Sequence, residues 1–162
     1  MFNNLKTLTL TAASLLAAAT AMAEDAKIDF ATQIYPFVKQ SCATCHRASY
    51  TDERGRTRRP KADMVITNKA DFLKGGESGV VIVAGKPDES PFLQRTLLPI
   101  DDDDHQPPQG KAPQWTDAEK ALFKKWIEQG ADFGTWTEDK VPNEGLEWDG
   151  MEFPADSVRK AK

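Results

Sequence analysis

The sequence predicts a small all-α domain, and three observations predict it. Apolar residues recur at intervals of three and four in two places, Phe30, Ile34, Phe37 and Val38, then Leu122, Phe123, Trp126 and Ile127. Helix start and stop chemistry brackets the second set, with Thr116 and Glu119 as a capping box and Gly130 as a C′ stop. Strand signals, by contrast, reduce to one short β-branched run, Val80 to Ala84.

Taken in order, the elements are these. Ile28 to Gln40 forms an apolar-faced helix that Pro36 either kinks or delays. Arg47 to Lys61 is polar, carries Arg54, Arg56, Arg58, Arg59 and Lys61, and reads as an exposed loop, with a basic docking patch as the rival reading. Asn68 to Lys74 is a short helix stopped by Gly75-Gly76, and Val80 to Ala84 is extended. Ser90-Pro91 opens another helix, with Ser90 as N-cap and Pro91 at the first position. Its buried stripe would be Phe92, Leu93, Thr96 and Leu97. The capped helix from Thr116 closes the domain, and its packing against the first helix would bury Phe37 and Trp126. From Thr135 onward the chain is polar and interrupted by Pro142, Gly145, Gly150 and Pro154. It is expected to be an extension, outside the core or folded over it.

Chemistry is concentrated where the first helix ends. Cys42-Ala43-Thr44-Cys45-His46 is a C-x-x-C-H run, and it holds both cysteines of the chain. This is the pattern of covalent c-type haem attachment. Two thiols one helical turn apart can add to the two vinyl groups of one porphyrin, and the next histidine lies under the iron. Three rival readings are weaker. A thiol–disulfide centre normally sits in a βαβ context, which the chain does not show. A closed zinc site needs four ligands, and His105 is the only further strong donor. A plain structural disulfide is the third, since the chain looks exported.

The leader and the charge bound the setting. Lys6, the apolar run Leu8 to Ala21 and Ala21-Met22-Ala23 make a signal peptide over residues 1–23, cleaved before Glu24. That run is short of the roughly 20 apolar residues a membrane span requires. Export to the periplasm is the expected outcome, with no stable membrane insertion after cleavage. Loss of Lys6 takes the net charge from −4 to −5, a balance that argues against nucleic acid as a partner.

Several residues together resemble one family, the Planctomycete-type cytochrome c domain. They are the approach helix with Pro36, the Cys42/Cys45/His46 motif, Gly75-Gly76 and Ile82 to Pro87 with Ser90-Pro91-Phe92-Leu93. Pro107-Pro108 and Trp126 to Ala131 complete the set. The likeness spans about Ile28 to Gly134, so the domain is taken as 24–134 and the extension as 135–162. It implies a class I cytochrome c-like fold wrapped round one covalent haem c. Cys42 and Cys45 would hold the haem, and His46 would be the proximal iron ligand.

On the other side of the iron the chain departs from the family pattern. The family usually has methionine directly before the Pro-Pro pair, and here that residue is Gln106. The contenders for the sixth position are the adjacent His105, Gln106 or an open water-bound site, and the methionines Met64 and Met151. The expected function is single-electron transfer between redox partner proteins, with no bond-making chemistry on a substrate. Two alternatives stand beside it. One is a haem protein with a labile sixth site that senses a gas or reduces peroxide. The other is a thiol oxidoreductase in which His46 is incidental.

Overall fold

The computed structural model describes residues 26–144 and 146. The expected leader, Met151 and the remainder of the extension lie outside the described residues. Four α-helices form in chain order: α1 (Tyr35–His46), α2 (Lys69–Lys74), α3 (Pro91–Leu97) and α4 (Asp117–Glu128). A two-residue-per-strand hairpin, β1 (Tyr50–Thr51) and β2 (Thr57–Arg58), joins α1 to the rest, and its strands run antiparallel. None of the helices among the described residues is long and apolar enough to cross a membrane.

Pro36 delays the first helix. A π-helical turn over Phe30–Ile34 precedes α1, whose α-geometry begins at Tyr35 with the proline in its first turn. There its missing N–H costs nothing. Two of the α-helices carry side-chain caps. Asn68 accepts from the Asp71 N–H at the start of α2, and Thr116 and Glu119 close a full capping box on α4. Such caps contribute about 1 kcal/mol each. Gly130 follows α4 with φ +99° and sends its N–H back to the Ile127 carbonyl. Gly75-Gly76 does more than stop α2. A Cβ on Gly75 would sit 1.9 Å from the Gly79 carbonyl oxygen, and one on Gly76 would sit 2.4 Å from that of Ala62.

Three local expectations are corrected. Arg47 to Lys61 is a hairpin rather than a plain loop. The Asp52 carboxylate accepts from the Arg54 and Arg56 N–H groups and from the Arg56 and Arg58 guanidinium groups, pinning the turn. Those hydrogen bonds, led by the Arg56 backbone, pull the Asp52 carboxyl down to about 2. Ser90 precedes α3 but does not cap it with its side chain. Its Oγ instead accepts from the Val83 N–H and donates to the Lys86 carbonyl, tying down the Val80 to Ala84 segment, which forms no strand. Leu97 is 50 % exposed, so the buried stripe of α3 is Phe92, Leu93 and Thr96 only.

The core is aromatic. Phe30 has its ring within 6.4 Å, centroid to centroid, of those of Tyr35, Phe72, Trp126, Phe133 and Trp136. A second cluster joins Phe37 of α1 to Trp115 and Phe123, with Phe92 of α3 against both of the latter. Phe37 and Trp126 are both buried, as the packing of the terminal elements required.

The first residues past Gly134 are bound to this core. Trp136 packs on Phe30 and Tyr35, and Glu138 bridges to Asn68. Asp139 takes a hydrogen bond from Tyr35 at 2.8 Å and an ion pair from Lys39 at 2.7 Å. Lys39 also donates to the Val141 carbonyl. Burial pushes the Asp139 carboxyl up, but the hydrogen bonds from Lys39, the Val141 N–H and Tyr35 outweigh it and hold it below its ordinary value. Its stabilisation is therefore present above the unfolded carboxylate range, near pH 4, and is lost as pH falls through the lower folded value. Asp139→Ala should cost about 1.5–3 kcal/mol, the range for hydrogen bonds to a charged group. Urea unfolding at pH 7 would show it, and the gap between native protein and variant should close towards pH 2.

Candidate haem site

The last turn of α1 carries the whole motif. Cys42 and Cys45, three residues apart, share one face of the helix, and His46 is its final residue. Cys42 is half-buried and Cys45 exposed, while Ala43 beside Cys42 is fully buried. The helix therefore anchors itself through Ala43, with Cys42 packed against the core and Cys45 exposed. A disulfide is not formed.

His46 is oriented by the segment that follows the hairpin. Its Nδ1 lies 3.1 Å from the Lys61 carbonyl oxygen, and its own carbonyl accepts from the Ile66 N–H at 2.8 Å. A carbonyl only accepts, so Nδ1 carries the proton and Nε2 keeps its lone pair. Burial lowers the pKa of the ring, against smaller opposing contributions from the Lys61 and Met64 carbonyls. The result is a neutral imidazole with one fixed nitrogen and one available to a metal.

Two buried polar atoms near this helix have no partner among the described residues. They are Ser41 Oγ, on the residue before Cys42, and Trp115 Nε1. The Trp115 ring packs edge-on against Phe37, one turn before Ser41, at 4.8 Å. Trp115 also lines a cavity of ≈ 440 Å³ with Leu98, Ile100, His105 and Gln114. An unmet buried donor costs about 1–3 kcal/mol. A porphyrin, with two carboxylates at one edge and an apolar face, is the kind of group that meets such a need. The residues present fit it.

The far-side candidates separate clearly. His105 is buried at 4 % exposure with both ring nitrogens engaged. Nδ1 is 2.9 Å from the Leu98 carbonyl and Nε2 is 2.7 Å from Gln114 Oε1. Gln114 cannot turn its amide round, because its Nε2 donates to the Pro107 carbonyl at 2.9 Å. His105 thus braces the Gln106-Pro107-Pro108 segment through Gln114. Gln106 is half-buried, and its backbone N–H donates to the Arg95 carbonyl. Met64 packs against the core, and its carbonyl stands beside the His46 ring, on the proximal side. Among the described residues no three His, Cys, Asp or Glu side chains come together as a metal cage, so the zinc reading finds no support in the fold.

Sequence reasoning missed Gln114 and the Lys61 carbonyl. Gln114 lies nine positions from His105, and no motif links them. Lys61 acts through its backbone, which its side chain does not announce.

A helical domain that presents two thiols and an oriented neutral histidine at one helix end has the residue set that covalent haem attachment requires. Residues 42–110 match the family described as Planctomycete cytochrome C, and over that stretch the chain is similar to a cytochrome c domain of that type. That similarity implies covalently bound haem c and electron transfer. Comparisons with curated proteins and with solved structures give no match. The matched stretch begins at the first motif cysteine and stops at Gly110. The flanking elements are joined to it by packing, Phe30 against Phe72 on one side and Trp115 and Phe123 against Phe92 on the other.

Proposed function

We propose that the protein is a periplasmic carrier of single electrons built on one haem c, in a class I-like fold spanning residues 24–134. The orientation of His46 by the Lys61 carbonyl, on the same helix turn as both thiols, carries the proposal. When bound, the haem supplies an iron centre that gains and loses one electron. Cys42 and Cys45 tether it by thioether bonds, and His46 Nε2 is the proximal ligand. Trp115 Nε1 and Ser41 Oγ serve its carboxylates. Apolar packing from Phe37, Phe92 and Trp115 excludes water from the pocket and so helps to set the potential. No residue is assigned a bond-making step, which fits a carrier. Residues 1–23 serve as the export leader, and the extension from 135 begins as a clasp on α1.

A second reading is favoured by one observation. His105 is fully engaged, and Gln106 stands where the family usually has methionine. The sixth position is then left to water or a weak amide oxygen, an arrangement open to small gases or peroxide.

Absorption and paramagnetic resonance spectra of the oxidised protein test the site. The expected result is largely high-spin iron, no thioether charge-transfer band in the far red, and ready binding of carbon monoxide after reduction. Gln106→Met should give low-spin iron and a higher potential, whereas His105→Ala should leave the spin state unchanged. A native low-spin spectrum that becomes high-spin in His105→Ala would instead make His105 the ligand. Voltammetry should show a reversible one-electron couple. Rapid peroxide turnover that Gln106→Met abolishes would move the function to the second reading.

A further inference from the structure

The hairpin after the haem motif concentrates positive charge in an acidic protein. Residues 47–61 sum to +4 in a chain of −4, so everything outside them sums to −8. Five of the six cations, Arg54, Arg56, Arg58, Arg59 and Lys61, are exposed, while Arg47 is buried with its guanidinium over the Tyr50 ring at 4.0 Å.

This charge is held in place. Asp52 clamps Arg56 and Arg58 to the turn through ion pairs of 3.0 and 2.9 Å. The Arg54, Arg59 and Lys61 side chains, by contrast, make no hydrogen bond or ion pair among the described residues. The base of the hairpin is tied to the site, since Lys61 is the residue whose carbonyl orients His46. The base of the basic face is therefore fixed at His46, the last residue of the motif. An unpaired basic face in a molecule whose remaining surface repels anions fits an acidic partner, and the repulsion elsewhere restricts where that partner can land.

We infer that the hairpin face, centred on Arg54, Arg59 and Lys61, is the docking surface for an acidic face of a redox partner protein. The partner's role rests on the carrier reading, while the surface itself does not. Electron transfer requires the two centres to approach closely, and a basic face at the motif edge brings the partner to that edge. Asp52 acts as a positioning residue for the surface.

The test uses the intact haem-loaded protein and poly-L-glutamate as the probe, measured by titration calorimetry. Native protein should bind at about 0.02 M salt and lose most of that affinity by about 0.2 M, as the screening length shortens. Net charge alone predicts no binding at all, so the sign is diagnostic. Arg54→Ser/Arg59→Ser/Lys61→Ser should weaken binding at least about tenfold at low salt. Circular dichroism should be unchanged, because these side chains have no partners in the fold. Lys86→Ser/Lys111→Ser should bind like the native protein. Absence of binding, or equal binding by the triple variant, would overturn the inference. Vesicles of equimolar phosphatidylglycerol and phosphatidylcholine serve as the comparison. Vesicle binding tighter than polyglutamate binding, and lost in the triple variant, would assign the face to a membrane and overturn it too. Because the probe accepts no electron, binding in a preparation that lacks covalent haem would keep the surface and remove the carrier reading. Covalent haem without binding would do the reverse.

Discussion

His46→Ala should leave the thiols able to hold haem but deprive the iron of its oriented imidazole. The matured variant should show an altered Soret band and lose its native one-electron couple. It should also unfold earlier, because the covalent haem stays on the unfolded chain and only the folded chain brings the oriented imidazole to its iron. On the order of 3 kcal/mol is expected from tight ligation. Spectra alone would not separate a ligand from a distant structural residue, so the comparison with His105→Ala matters. His105 is buried and His46 half-buried, and the Nδ1–H of each donates to a backbone carbonyl. Only one has a nitrogen to spare. His105→Ala should therefore lower stability, by freeing Gln114 and the Pro107 segment, without the loss of the couple seen at His46. Equilibrium unfolding and voltammetry on the two variants check the pair.

Phe30→Ala should be the most damaging substitution away from the motif. The ring is 1 % exposed and bridges the π-helical turn, α2, α4 and the segment Phe133–Trp136. Truncation of a buried Phe costs about 3–5 kcal/mol once the residual cavity is included. A domain of this size has roughly 5–15 kcal/mol in total, so the variant would sit near the edge of folding at 37 °C. The cost should appear as a lower urea midpoint with an unchanged slope. Leu97→Ala is the matching control. Half of that side chain is exposed, and its loss should fall within about 0.5 kcal/mol.

Features governed by neighbouring residues were legible in the sequence. The α4 capping box joins Thr116 and Glu119, three positions apart, and the haem motif is set by a spacing that covalent chemistry demands. Features decided by a competing partner were not. Ser90 looks like an N-cap, yet the Val83 N–H and Lys86 carbonyl win its hydroxyl. The hairpin escaped notice because its strands are two residues long, too short for any alternation. It exists because one carboxylate gathers two backbone N–H groups and two guanidinium groups. Leu97 fits a helical stripe on spacing alone, but α3 is two turns long, and its last residue passes the edge of the core. His105 was attractive as a ligand by chemistry and position, and only the folded chain reveals Gln114 and Leu98 as its partners. The clasp of Asp139 on Tyr35 and Lys39 spans about 100 positions, beyond any local signal.

The central claim is that Cys42 and Cys45 hold one haem covalently under His46. Mass measurement of the protein matured with cytochrome c assembly factors, before and after acid–organic extraction, tests it most directly. The account predicts the mass of the chain from Glu24 plus one haem, unchanged by extraction, and reduced to the bare chain in Cys42→Ala/Cys45→Ala. Haem that extracts freely, or a native chain without haem, would contradict it.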